Sequence, residues 1–190
     1  VKISIDLMGG DNSPDKTLLG IDLFVKRNKN KNDYFFYLFG DENIVKKKIS
    51  KLKYLKSNYK LIDTKIIVSN NLSPLAALKK GKGSSMWESI HSQISLNSDV
   101  TLSAGNTGVL LIMSKLILKT MDGINKPALA GLWPNDKDMN IVLDLGANID
   151  CSEKNLIDFS EMGSALYRSL FLNETAKVAL LNIGSEEVKG

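Results

Sequence analysis

The chain has 190 residues and a formal net charge of +4, with 43% hydrophobic and 24% charged residues, values ordinary for one soluble globular domain. No apolar run approaches the ~20 residues of a spanning helix, and the first residues read as a strand rather than as a leader. The single cysteine, Cys151, leaves no internal disulfide framework and fits a reducing, cytoplasmic setting.

In chain order the pattern alternates. Strands are expected over 2–7, 34–39, 65–68, 100–103, 128–133, 140–145 and 177–182. Several are continuous apolar runs, as strands covered on both faces are. Helices are expected over 14–26, 42–55, 74–80, 84–96, 107–119 and 153–170. Pro14 and Pro74 suit first helical turns, and Ser152 with Asn155 suits an N-cap. Residues 28–32 and 57–59 read as polar loops. The alternation predicts an α/β fold, a layered sheet with helices on both faces. Residues 177–182 read as an interior strand and 183–190 as a strand-end loop, so the chain reads as a piece of a longer protein.

Three strands run into turns of small residues. Ile3-Ser-Ile-Asp-Leu7 leads into Met8-Gly-Gly-Asp11, Val100-Thr-Leu102 into Ser103-Ala-Gly-Asn-Thr-Gly108, and Ile141-Val-Leu-Asp-Leu145 into Gly146-Ala-Asn148. A turn without bulk lets a ligand reach backbone N–H groups at a helix start, where the peptide dipole favours an anion. Ligands of open α/β sheets sit at the carboxyl ends of the strands. One shared site for a negatively charged ligand is therefore expected. Asn106 and Asn148 either donate to that anion or bond to their own turns.

Other features read more plainly. Gly81-Lys-Gly-Ser-Ser85 is not a Walker A loop, because the spacing and the preceding strand are missing. Ser84 or Ser85 caps a helix there, alone or with anion contact helped by Lys79, Lys80 and Lys82. His91 reads as a packing or surface residue and Cys151 as a small buried one, since neither has an activating partner in sequence. Asp6, Asp11 and Asp144 sit at strand ends and fix turns rather than bind a metal; no metal site is expected. Only Arg27 and Arg168 are arginine, and many lysines fall between Lys26 and Lys60. That stretch is a solvated face or a basic face for an acidic partner or anionic lipid. Nucleic acid is not expected, because sequence-specific readers favour Arg and no recognition motif is present.

Several stretches occur together in a telling order. They are Ile5-Asp-Leu-Met-Gly-Gly-Asp-Asn-Ser-Pro14, Phe39-Gly-Asp-Glu42, Lys82-Gly-Ser-Ser-Met86, Ser103-Ala-Gly-Asn-Thr-Gly108, Gly123-Ile-Asn-Lys-Pro-Ala-Leu129, Leu143-Asp-Leu-Gly-Ala-Asn-Ile-Asp-Cys151 and Leu180-Leu-Asn-Ile-Gly-Ser-Glu-Glu-Val-Lys-Gly190. Together they resemble the bacterial phosphate acyltransferase (PlsX) family over essentially the whole chain. That family continues well beyond Gly190, so the resemblance is to its N-terminal part, 1–190 being one portion of a single α/β catalytic domain. It implies an isocitrate/isopropylmalate-dehydrogenase-like fold, shared with phosphotransacetylases, and a homodimer. It implies acyl transfer from acyl carrier protein to inorganic phosphate, giving acyl phosphate for phospholipid synthesis, without a cofactor. Peripheral membrane association goes with that role. Carried onto this chain, the resemblance implies catalytic roles for Asn106 and Lys189. It implies phosphate or acyl contacts at Gly9, Gly10, Asp11, Ser84, Ser85, Ser103, Gly105, Thr107, Gly108, Asp144, Gly146 and Asn148. The alternatives are a phosphotransacetylase-like enzyme using coenzyme A and a non-catalytic anion- or partner-binding module.

Overall fold

Apolar strands alternate with amphipathic helices, and the computed structural model resolves that pattern into two compact units, Val1–Lys119 and Thr120–Gly190. It describes residues 1–29, 33–69, 74–136, 138–148, 150–172 and 174–181.

The first unit holds strands β1 (Lys2–Asp6), β2 (Phe35–Gly40), β3 (Tyr59–Asp63) and β4 (Val100–Ser103). Its helices are α1 (Asp15–Arg27), α2 (Glu42–Ile49), α3 (Pro74–Lys80), α4 (Ser85–Ser95) and α5 (Thr107–Leu118). All strand pairs are parallel, in the order β3-β2-β1-β4. The chain steps outward from β1 to β3 and then returns to the other side of β1. The strand order therefore reverses between β1 and β4, where doubly wound sheets bind ligands.

Side chains alternate across a strand, and the two faces of this sheet differ. Ile5, Leu7, Phe36 and Leu38 join Leu18 and Ile21 of α1 and Val45 and Ile49 of α2 in one core. The other set meets α4 through small polar residues. Ser4 Oγ bonds Ser92 Oγ, and Thr101 Oγ donates to Ser89 O. Short side chains let α4 lie close to the sheet, and their hydrogen bonds offset the cost of burying them. A second core joins α4 and α5 through Met86, Ile90, Val109 and Met113, with Val68 and Ala77.

Three expectations are corrected here. The third strand lies at Tyr59–Asp63, not over 65–68. It is an edge strand with half-buried and exposed residues and none fully buried, whereas Ile66 makes only a single bridge to Ser84 and Val68 enters the second core. Helix α2 stops at Ile49 rather than at Leu55. The reason is Asp22, whose buried carboxylate takes the N–H groups of Lys53, Tyr54 and Leu55. Residues 177–181 form no strand, and Val178, Leu180 and Leu181 are exposed. A strand needs a neighbour for its backbone groups, and none of the described residues pairs with this segment.

Burial works to raise the Asp22 pKa, but the three backbone N–H donors and nearby Lys56 outweigh it, and the pKa lies below the ordinary carboxylate value. A depressed carboxylate stabilises the fold above its unfolded pKa, about 3.9, and loses that contribution as pH falls through the folded pKa. Asp22→Asn should cost about 1–2 kcal/mol at neutral pH, with the difference from wild type shrinking below about pH 4. Thermal melts at pH 7 and pH 3 check this.

The second unit pairs β5 (Gly131–Pro134) and β6 (Met139–Val142) in an antiparallel hairpin beside α6 (Glu153–Leu170). Ser152 and Asn155 form a reciprocal capping box at the start of α6. No helix among the described residues is long and apolar enough to cross a membrane.

Candidate anion site at the ends of β1 and β4

The register of β1 and β4 sets Asp6 beside Ser103 at the carboxyl ends of both strands. Asp6 is 1% exposed. Its carboxylate accepts from Met8 N–H and Gly9 N–H, each at 3.1 Å, and from Ser103 Oγ at 2.7 Å. Ser103 Oγ in turn accepts from Gly105 N–H at 3.1 Å. One buried carboxylate thus ties the turn after β1 to the turn after β4. Ser13 closes the first turn by donating to Met8 O and Gly10 O.

Glycine is required where these turns meet. A Cβ on Gly9 would collide with the Asp6 carboxylate and stand 2.9 Å from both Gly105 N and Ser103 Oγ. Gly10 has φ +86°, and its Cβ would sit 2.6 Å from Ala104 O. The two turns therefore approach backbone to backbone.

Helix α5 begins beside them. Asn106 caps it, its side-chain oxygen accepting from Val109 N–H at 3.0 Å. Thr107 and Gly108 follow in the first turn, where amide N–H groups have no intrahelical acceptor and the helix dipole adds partial positive charge. Thr107 and Asp11 are exposed, and Gly105, Asn106 and Gly108 are partly so. Ser84 caps α4 through Trp87 N–H. Both Ser84 and Ser85 are buried, so they shape the first turn of α4 rather than open to solvent. That turn sets the Met86 methyl 2.5 Å from where a Gly105 Cβ would be.

On the α1 side of β1 and β4 lies a groove of about 380 Å³. Its walls include Ile3, Ile5, Phe24 and Leu102, and Asp6 and Ser103 stand among its lining residues. At the ends of β2 and β3, Lys65 Nζ lies 3.0 Å from the carboxylates of both Asp41 and Asp63. Lys65 lowers the Asp41 pKa; the Glu42 N–H and then Lys65 lower that of Asp63. In return Asp63 and Asp41 raise the pKa of Lys65. Its charge is spoken for.

In the second unit Asp144 plays the part that Asp6 plays in the first. It accepts from Leu129 N–H at 2.7 Å and from Asn148 N–H at 2.7 Å. The Asn148 amide donates to Asp144 and to Pro127 O. Asn148 thus bonds its own loop, one of the two roles its sequence position allowed. Gly146, φ +82°, makes the bend between them. Lys189 lies outside the described residues. Cys151 is exposed, not buried as expected; it stands just ahead of the Ser152 cap of α6, outside the helix. His91 is partly buried on α4.

Sequence reasoning found the glycine turns and the turn-fixing role of Asp6 and Asp144. It missed Ser13 and Met86. A small hydroxyl residue after Gly-Gly was a usable sign for Ser13; Met86 carried none, because its contact with Gly105 is set by how α4 packs.

A parallel sheet whose strand-end turns close on one another at the point of strand reversal defines a doubly wound α/β fold. The chain belongs to the fatty acid synthesis protein family, whose profile matches residues 1–190. It is 54% identical over 190 residues to a phosphate acyltransferase of Pelagibacter ubique, covering all of this chain and 56% of that protein. Phosphate acyltransferases of Azorhizobium caulinodans and Rhizobium meliloti are 41% and 42% identical over 191 residues, with 53% and 54% of their lengths covered. The chain thus spans about half the length of the curated relatives it matches. Among solved structures it is similar to the EutD phosphotransacetylase from Staphylococcus aureus, with a TM-score of 0.60 and 16% identity, over 89% of this chain and 53% of that one. That likeness shows the fold.

Proposed function

We propose that the whole protein transfers a fatty acyl group from acyl carrier protein to inorganic phosphate, giving the acyl phosphate used in phospholipid synthesis. The observation that carries this reading is the match of the entire chain to proteins named phosphate acyltransferase. The geometry of the strand ends is consistent with it. Phosphate is a dianion near neutral pH and needs no side-chain base to attack. What it needs is a fixed position against the thioester carbonyl and donors for the developing oxyanion. The N–H groups of Thr107 and Gly108, in the first turn behind the Asn106 cap, supply such donors at a helix start, while Gly105 N–H is held by Ser103 Oγ. Gly9 and Gly10 keep the approach open, Asp11 borders it, and Ser84 and Ser85 shape its floor through Met86.

In the step itself a phosphate oxygen forms a bond to the carbonyl carbon, and the carbon–sulfur bond breaks. The electron pair leaves on the carrier thiolate, which takes a proton from solvent. By the family resemblance we assign substrate contacts to Asp144, Gly146 and Asn148, and a charge-neutralising role to Lys189. No covalent acyl-enzyme enters the scheme, so Cys151 and His91 have no chemical role. Carrier protein and phosphate are the partners, and a cytoplasmic homodimer that touches the membrane from one side suits an apolar product.

Asn106→Ala should raise the phosphate KM several-fold and cost about 1 kcal/mol of stability from the lost cap, with the fold retained. An unchanged phosphate KM would remove Asn106 from the site. The reading as a whole is tested with the protein at the full length of its relatives. Acyl phosphate, trapped with hydroxylamine, should form from acyl carrier protein only when phosphate is present. Preference for a coenzyme A thioester would assign a phosphotransacetylase-like reaction instead; no turnover with either, alongside phosphate binding, would assign a binding module.

A further inference from the structure

Lysines are abundant in this chain, but they are not equivalent. From Thr64 to Trp87 the sequence carries Lys65, Lys79, Lys80 and Lys82 and no Asp or Glu. Lys65 is held by Asp41 and Asp63. Lys79 and Lys80, in the last turn of α3, and Lys82 are exposed, and none of them enters an ion pair among the described residues. A helix C-terminus favours lysine by its dipole. That accounts for Lys79 and Lys80 but not for Lys82, which stands beyond the helix.

The backbone holds Lys82 outward. A Cβ on Gly81 would lie 2.5 Å from Ala77 O and collide with the Met113 methyl of α5, so Gly81 is pressed inward. Gly83 turns the chain with φ +79°, and Ser84 N–H closes the turn on Gly81 O at 2.9 Å. The same turn leads straight into Ser84, Ser85 and Met86, and Met86 rests on Gly105. Helix α4 leads from β3 back to β4, so its start, with Lys82 three residues ahead of it and Lys79 and Lys80 in the preceding helix, lies toward the carboxyl ends of the strands.

The larger lysine run does not. Helix α1 connects the carboxyl end of β1 to the amino end of β2, and α2 likewise connects β2 to β3. Their last turns, with Lys26 and with Lys46, Lys47 and Lys48, lie toward the amino ends of the strands. Lys46 and Lys48 are also paired, with Glu42 and Asp15. That face points away from the candidate site.

We propose that Lys79, Lys80 and Lys82 are the docking surface for the acidic carrier protein that presents the acyl thioester to the turns after β1 and β4. The inference rests on the functional reading above and adds to it the place of the partner. Three lysines without an ion pair among the described residues, toward the carboxyl ends of the strands, steer an acidic partner into register and raise its association rate, with an effect that salt screens.

The test uses the protein at the full length of its relatives. Lys79→Glu, Lys80→Glu and Lys82→Glu are combined, and Lys47→Glu, Lys51→Glu and Lys53→Glu form the control. Acyl carrier protein and a carrier-free acyl-pantetheine thioester serve as substrates, and binding of unacylated carrier is measured directly. The first variant should raise the KM for the carrier substrate roughly tenfold or more and flatten its salt dependence. Its phosphate KM and its turnover of acyl-pantetheine should match wild type, and the control should match wild type throughout. An unchanged carrier KM overturns the proposal. So does an equal loss with acyl-pantetheine, which would place the lysines in the reaction or the fold. Loss of retention on anionic phospholipid vesicles with carrier binding intact would assign the lysines to a lipid surface instead, again overturning it. If wild type forms no acyl phosphate at all, the functional reading fails, and the binding arm still decides the dock. Carrier binding that the first variant loses sustains it, and absence of binding by wild type ends it.

Discussion

Gly10→Val is expected to cost several kcal/mol and to abolish phosphate-dependent turnover. Gly10 has φ +86°, and a Cβ there meets backbone: Ala104 O at 2.6 Å and Ala104 C at 3.1 Å. Backbone does not swing aside as a side-chain tip does. The left-handed conformation alone costs an L-residue about 1–2 kcal/mol, and overpacking adds about 1–3 kcal/mol. Set against a typical domain stability of about 5–15 kcal/mol, the sum is enough to lower the melting temperature by on the order of 10 °C. The relief available is for the turn after β1 to move off the turn after β4, which pulls Gly9 from Gly105 and opens the proposed phosphate cradle. Gly20 is the control. Nothing lies within 4 Å of its added Cβ in the exposed face of α1, so Gly20→Ala should stabilise by about 0.5–1 kcal/mol. Calorimetric melts of both variants check the contrast. A Gly10 variant that melts like wild type would mean the two turns do not need their close approach.

Asp6→Ala is expected to be the most damaging single change that removes atoms rather than adds them. It orphans Met8 N–H and Gly9 N–H and removes the acceptor of the Ser103 hydroxyl. Each unsatisfied buried group costs about 1–3 kcal/mol, so the total is about 3 kcal/mol or more. Asp6→Asn separates charge from shape. Its remaining oxygen still accepts from Met8 and Gly9, but its amide must face Ser103 Oγ, which already accepts from Gly105 N–H. The hydroxyl then has to take a second donor and send its own proton elsewhere. The asparagine variant should therefore fold, melt a few degrees lower and bind phosphate more weakly, with Ser103→Ala partly additive to it. Denaturant titration with a phosphate KM for each variant decides the matter. Equal stability of Asp6→Ala and wild type would contradict the role of Asp6 as the tie between the strands.

These two positions show what was legible in the chain. The turns were visible as glycine-rich stretches after apolar strands, because small residues at a strand end have few other reasons to cluster. That Gly9 touches Gly105 was not visible, because it depends on the pairing of Asp6 with Ser103 across 97 residues of sequence. Strands β1, β2 and β4 announced themselves through apolar runs. Edge strand β3 did not, since Tyr59-Lys-Leu-Ile-Asp63 mixes polar and apolar residues, while of the apolar run Ile66-Ile-Val68 only Val68 enters a core, between α4 and α5, and Ile66 and Ile67 are exposed. Helix α2 looked longer than it is because Leu52 and Leu55 keep a helical spacing and are buried. The carboxylate that ends the helical pattern, Asp22, comes from a different helix. At α2 a long-range partner overrode a local pattern.

The central claim is that backbone donors at the start of α5 hold the attacking phosphate. Amide NMR of the full-length protein during a titration with inorganic phosphate tests it most directly. Downfield shifts of the Thr107 and Gly108 amides are expected, saturating together at the concentration that half-saturates turnover and weakened by Asn106→Ala. Phosphate-dependent turnover with those amides unmoved, and shifts elsewhere in the chain, would contradict it.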